Sequence, residues 1–238
     1  VTGLEWLVVG VAIFTASCLQ SSIGFGMGMV AAPVLAIIDP RMVPGTIILL
    51  ATALTALVVV RERTSIDVRG AGWALVGRVP GVIAGAALLV VLPERGVSIM
   101  LGAVVLFGVV ATAIGWSPTP RRGSLMTAGA ASGLLGTATS IGGPPMALIW
   151  SGSSGAALRS TMSGFFLIGS LMSLAALGVT GSLDAHSLAT GALLLPVVAL
   201  GYMASRWVNR VLDRRRLRWV SIVVSAGGAL VLLVDAVV

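Results

Sequence analysis

Two stretches of this chain set hydroxyls, an amide and helix breakers into apolar surroundings. The first reads Gln20-Ser21-Ser22-Ile23-Gly24-Phe25-Gly26-Met27-Gly28 and is followed by Pro33; the second reads Thr137-Ala138-Thr139-Ser140-Ile141-Gly142-Gly143-Pro144-Pro145. The glycines allow close backbone approach and unusual dihedrals. Pro144 and Pro145 carry no amide donor and suit the first turn of a helix. Ser21, Ser22, Thr139 and Ser140 stand just before an apolar run restarts, where serine and threonine serve as N-caps. A helix that starts in low dielectric presents free N–H groups and the positive end of its dipole, which favours an anion. Small-residue packing between membrane helices is the other reading of the same residues. Repetition favours the site, because broken segments at corresponding places in two halves point to a transporter's binding site.

Two further side chains join these breaks as candidates. Arg78 stands about eight residues inside an apolar segment, ~12 Å deep by helical rise. An arginine at that depth is by default functional, and its fork matches a sulfonate or carboxylate in two-point contact. The competing reading is that it snorkels to the nearer, arginine-rich surface. Pro80, two residues on, is expected to bend the helix and turn Arg78 inward. Gln20 is the only glutamine; its amide either donates to an anion or bonds a neighbouring helix. Thr46, Thr52, Thr55, Thr161 and Ser163 rank lower, since such hydroxyls usually bond their own helix. Trp150 flanks either the site or the membrane interface. The expected substrate-binding set is therefore Gln20, Ser21, Ser22, Gly24, Phe25, Gly26, Arg78, Thr139, Ser140, Gly142, Gly143, Pro144 and Pro145.

The elements that must position these residues are membrane helices. The chain is 57% hydrophobic and 10% charged, against about 25% charged in soluble domains. Apolar runs recur at membrane-spanning length, so the fold is expected to be all-α and polytopic. Apolar segments run over 4–19, 23–38, 43–60, 70–92 and 97–116, then over 124–138, 141–150, 158–179, 187–208 and 219–238. The two series suggest one repeat over 1–116, a cytoplasmic linker over 117–123 and a second repeat over 124–238. Each repeat would hold a broken or re-entrant hairpin plus about three transmembrane helices. Ser22-Ile23-Gly24 pairs with Ser140-Ile141-Gly142, Pro80 with Pro196, and Gly85 with Gly201; Leu194 stands where Arg78 would recur. The run 141–150 spans only ~15 Å as a helix, and 124–138 is also short. Their first-half counterparts are longer, which leaves both a full crossing and a re-entrant path open to them.

Charge placement relates the halves. The net charge of +7 comes entirely from arginine, with no lysine, which excludes a Walker A loop and a Schiff-base lysine. These charges read as loop charges that orient the chain in the membrane, not as a nucleic-acid surface. If each half makes an odd number of crossings, one face receives Arg61, Arg63, Arg69, Arg121, Arg122, Arg159, Arg206, Arg210, Arg214, Arg215, Arg216 and Arg218. The other face keeps Arg41 and Arg95 beside Asp39, Glu94 and Asp184. The repeats are then inverted, with arginine-rich loops cytoplasmic and both termini periplasmic. The first segment is expected to be a retained helix, since no basic residue precedes it. Cys18 and His186 are single, so neither a disulfide within the chain nor a Cys/His metal cluster is expected, and Cys18 is expected to pack as a small apolar residue. His186 is expected in an outer loop beside Asp184, and the chain lacks a Gly-x-Ser-x-Gly elbow. No enzymatic activity and no cofactor are therefore expected. The expected partners are a small anionic substrate, a coupling proton or other ion, and membrane lipid; small-residue faces also permit a homodimer.

The second break, with Gly133-x-x-Gly136-x-x-x-Ser140-Ile141-Gly142-Gly143-Pro144-Pro145, resembles the sulfite exporter TauE/SafE family. The resemblance extends over the whole chain in length, halves and segment order. The first break departs from the family's usual Gly-Gly-Gly, placing Phe25 and Met27 between glycines. The resemblance implies secondary transport of sulfite, an organosulfonate or a related sulfur oxyanion across the bacterial cytoplasmic membrane. It implies alternating access, with the substrate held between the two broken helices. An anion channel is the alternative, and the residues alone lead only as far as a small anion.

Overall fold

The computed structural model describes residues 2–62, 65–93, 118–150 and 155–211, with side chains to 207 and isolated positions in the gaps. The expected segments over 97–116 and 219–238 fall largely outside the described residues. So do Arg63, Arg95 and the side chains of the arginines from Arg210 onward. Among the described residues all regular structure is helical.

The helices are α1 (Gly3–Ile23), α2 (Met27–Ile38), α3 (Gly45–Glu62), α4 (Val68–Val91), α5 (Arg122–Thr139), α6 (Gly143–Ile149), α7 (Gly155–Val179) and α8 (Ala185–Val211). A 3-10 turn, Pro40–Met42, leads from α2 towards α3. Among the described residues five helices are long and apolar enough to cross a membrane: α1, α3 with its leading turn, α4, α7, and α8 as far as Trp207. Their starts reflect local chemistry. Thr2 and Glu5 form a capping box on α1, Asp67 accepts from the Gly70 amide on α4, and Asp184 accepts from the Ser187 amide on α8 at 2.8 Å. Pro80 and Pro196 lie inside helices that continue through them.

Each break is succeeded by a short helix. With 12 residues, α2 reaches ~18 Å, well short of a ~30 Å hydrocarbon core. Of the two early segments of the first half, α1 is therefore long enough to cross and α2 is not. Helix α6 has seven residues and reaches ~10 Å. Helix α5, at 18 residues, is longer than expected because it starts at Arg122.

A break followed by a short helix and then two long ones occurs twice, in α1 to α4 and in α5 to α8. Gly24 and Ser140, the left-handed residues that end α1 and α5, are 116 positions apart. The same interval separates Gly26 from Gly142, Pro80 from Pro196 and Gly85 from Gly201. By conformation of the helix ends, Ser140 stands with Gly24, two residues from the Ser22 that the letters pair with it. The most extensive helix pair is α4 with α5; α8 packs on α1, and α3 meets α7. The α4–α5 seam is made of glycine. A Cβ on Gly77, Gly81 or Gly129 would lie 1.9, 2.1 or 1.9 Å from a carbonyl oxygen of the facing helix. Such seams let membrane helices approach closely.

The charged residues fall at opposite ends of α3. Near Glu62, Arg61, Arg159 and Arg206 line one cavity, while Arg69, Arg121 and Arg122 line another. Near Gly45, Asp39 meets Arg41 and His186. His186 sits in the first turn of α8, not in the loop where it was expected.

Candidate functional site

The two breaks touch. The Cα of Gly28 faces the Ser140 carbonyl so closely that a Cβ would lie 2.0 Å from its oxygen, and Gly143 lies against the Phe25 ring. Between them is a cavity of about 40 Å³, room for roughly two or three waters. Its wall includes Gln20, Phe25, Gly26, Gly28 and Met29 from the first break, and Gly136, Ser140, Ile141, Gly142 and Gly143 from the second. Arg78 reaches it from α4, Ile47, Ile48 and Ala51 from α3, and Phe166, Ser170 and Ser173 from α7.

Arg78 is 3% exposed, so the snorkelling alternative is not what the structure shows. Its Nη1 donates to Ser132 Oγ at 3.0 Å, and Ser132 Oγ donates on to the Gly142 carbonyl at 2.6 Å. The guanidinium lies 4.9 Å from the Phe165 ring centroid and 5.6 Å from that of Phe166, an attractive cation–π arrangement. Its Nε has no hydrogen-bond partner, and among the described residues no carboxylate pairs with it. Glycines make the space: a Cβ on Gly169 would fall 2.1 Å from Arg78 Nε, and one on Gly136 would fall 3.3 Å from Nη2. A buried charge is ordinarily paired. This one faces a cavity, with aromatic rings and one hydroxyl as its company.

The other donors are amides. Gln20 Oε1 accepts from the Met27 N–H at 3.0 Å. That bond identifies the oxygen end of the amide, leaving Nε2 as a donor without a partner among the described residues. The Gly28 and Met29 N–H groups, at the start of α2, likewise make no hydrogen bond there. In α6 the prolines occupy the first turn as expected, so its start offers little beyond the Gly142 and Gly143 amides.

The expected hydroxyl caps are not formed. Ser21 and Ser22 donate to the carbonyls of Ser17 and Cys18 at 2.7 Å each, within α1. Thr139 donates to Leu135 and accepts weakly from Ile141; Ser140, at φ 64°, donates to the Pro44 carbonyl at 3.1 Å. The N-cap positions are Gly26 and Gly142, with no side-chain bond. Of the expected set, Gln20, Phe25, Gly26, Arg78, Ser140, Gly142 and Gly143 line the cavity. Ser22, Gly24, Thr139, Pro144 and Pro145 shape the breaks from behind, and Ser21 lines the separate cavity beside Arg61. Trp150 is buried, with its ring edge-on to Phe165 at 6.1 Å, one layer behind Arg78. Thr46, Thr52, Thr55 and Thr161 serve helix and inter-helix bonds. Phe166, Ser170 and Ser173 were missed. Their spacing of four and three residues is a helical face, but many faces of this chain carry small residues at that spacing.

A family model described as sulfite exporter TauE/SafE matches residues 9–232. The chain is also similar to a protein of Cupriavidus necator described as a probable sulfite/organosulfonate exporter TauE, with 29% identity over 136 residues, 53% of each chain. The match spans about half the length of that curated relative. No solved structure matches the chain.

Proposed function

The chain belongs to the sulfite exporter TauE/SafE family, and from that membership and the cavity we propose that it is a secondary transporter of a small sulfur oxyanion or organosulfonate in a bacterial cytoplasmic membrane. The observation that carries this reading is Arg78, a buried guanidinium without a carboxylate partner among the described residues, at a cavity lined by both breaks. The oxyanion completes the arginine's pairing in a charge-assisted contact. Gln20 Nε2 and the Gly28 and Met29 amides at the positive end of α2 supply further donors. In this reading 1–116 and 124–238 are inverted repeats, joined by a short linker, that rock about the site. The constant interval of 116 residues and the exchange of partners between α1–α8 and α4–α5 support the repeat. The arginines at one end of α3 support placing that end in the cytoplasm.

The test is binding and flux of radiolabelled methanesulfonate and sulfite. Arg78→Gln is expected to weaken binding by more than ~30-fold, the scale for removing one member of a buried charge pair, with the elution profile unchanged. Arg78→Lys keeps the charge but loses the fork, so an intermediate loss is expected. Undiminished affinity in Arg78→Gln would remove the reading. Bilayer conductance far above carrier turnover would convert it to a channel.

A further inference from the structure

We propose that the cavity beside Glu62 is a second oxyanion site, which captures the substrate at the arginine-rich surface before it reaches the inner cavity; this rests on the transport reading above. The cavity measures about 260 Å³ and is lined by Arg61, Arg159 and Arg206 with a single carboxylate, Glu62. Arg159 and Glu62 neutralise one another in a two-point contact, Nη2 to Oε1 at 2.9 Å and Nε to Oε2 at 3.2 Å. That leaves Arg61, at the end of α3, and Arg206, on α8, exposed and without a carboxylate partner among the described residues. Arg206 is steadied over the Tyr202 ring, 5.9 Å from its centroid. Two uncompensated guanidiniums thus face one polar hollow.

Its position gives the hollow a use. Ser21 lines it and is buried, whereas the preceding residue, Gln20, lines the inner cavity. The last turn of α1 is therefore a wall common to both. The first break also leans on the element that carries the ion pair, since a Cβ on Gly24 would come within 3.2 Å of the Arg159 Cα. A concave, like-charged surface concentrates counter-ions and raises association rates by ~10–1000-fold, steeply with ionic strength. Among the described residues its wall holds only Val58 as an apolar aliphatic side chain, which suits a free oxyanion better than a lipid headgroup with acyl chains.

The experiment is equilibrium binding of radiolabelled methanesulfonate to the full chain in phosphatidylcholine nanodiscs. At about 20 mM ionic strength, where the Debye length exceeds ~20 Å, two sites are expected: a weak, salt-sensitive one and a salt-resistant one. The double variant Arg61→Gln/Arg206→Gln replaces exposed side chains. It is expected to weaken the salt-sensitive site at least 10-fold while leaving the other in place. Arg78→Gln is expected to do the reverse. A single site in the unsubstituted protein, or two unchanged sites in the double variant, overturns the second site. Two sites both insensitive to Arg78→Gln would instead sink the transport reading while leaving this one standing. Nanodiscs containing phosphatidylglycerol provide the lipid arm. If this lipid occupies the hollow and methanesulfonate does not bind there even in pure phosphatidylcholine, the hollow is a headgroup site and the proposal fails.

Discussion

Gln20 uses the two ends of one amide for different tasks. Its oxygen takes the first N–H of α2, and its nitrogen is left at the cavity wall. Gln20→Glu preserves the acceptor and places a negative charge at the wall, so anion binding is expected to fall by more than ~10-fold, about 1.4 kcal/mol, with little change in melting temperature. Gln20→Met removes the acceptor and strands the Met27 amide, at a cost of about 1–3 kcal/mol, which thermal denaturation reports. Equal methanesulfonate affinity in the glutamate variant would exclude Gln20 from the site. Gln20 and Arg78 stood out in the sequence by their setting and their neighbours, and both line the cavity. Their geometry was not legible there. Arg78 is held inward because Gly133, Gly136 and Gly169, on two other helices, leave the volume it occupies. No reading of its own segment contains those glycines. Ser21 and Ser22 misled for a related reason: a hydroxyl near a break can cap forwards or bond backwards, and here both bond backwards.

The helices obey the same division between local signal and remote packing. The order of segments and the existence of both breaks were readable from apolar runs and breakers. The true length of α2 was not, because Gly24 and Gly26, with φ of 92° and 122°, consume the start of an apolar run that reads as continuous. The letter-by-letter pairing of the two breaks differs from the pairing of their helix ends for a physical reason too. A left-handed helix end is filled by glycine in one copy and by serine in the other, so matching letters do not match conformations. The glycine seam of α4 and α5 gives the sharpest prediction at this scale. Gly81→Ala must push the helices apart, since its Cβ would meet the Ala130 carbonyl, and a loss of about 1–3 kcal/mol is expected. Gly10→Ala has nothing within 4 Å and is expected to be neutral or to stabilise by ~0.5–1 kcal/mol. Melting of the two variants side by side checks the contrast; equal melting temperatures would deny the seam its role.

Across the whole molecule, the end opposite the arginine cluster is tied by Asp39, which joins the α2–α3 connection to His186 of α8 at 3.0 Å. Burial works to raise the Asp39 pKa, but the Arg41 amide and guanidinium, with His186, outweigh it and hold the carboxyl below its ordinary value. A depressed carboxyl contributes stability that is fully present above its unfolded pKa of about 3.9 and is lost as pH falls through the folded value. The melting temperature should therefore decline below about pH 4, and Asp39→Asn should flatten that limb of the curve; an unchanged acid limb would show the tie to be idle. Under the proposed repeat Arg78 has no charged counterpart, since Leu194 stands 116 positions on. A fixed unit of positive charge facing a monoanion sums to zero, whereas the vacant centre is a cation. Under the proposed cycle, membrane voltage then acts on the return of the empty carrier, by up to ~2.3 kcal/mol per 100 mV, and leaves the loaded passage untouched. The rate at saturating substrate would follow voltage only where that empty return is the slow step.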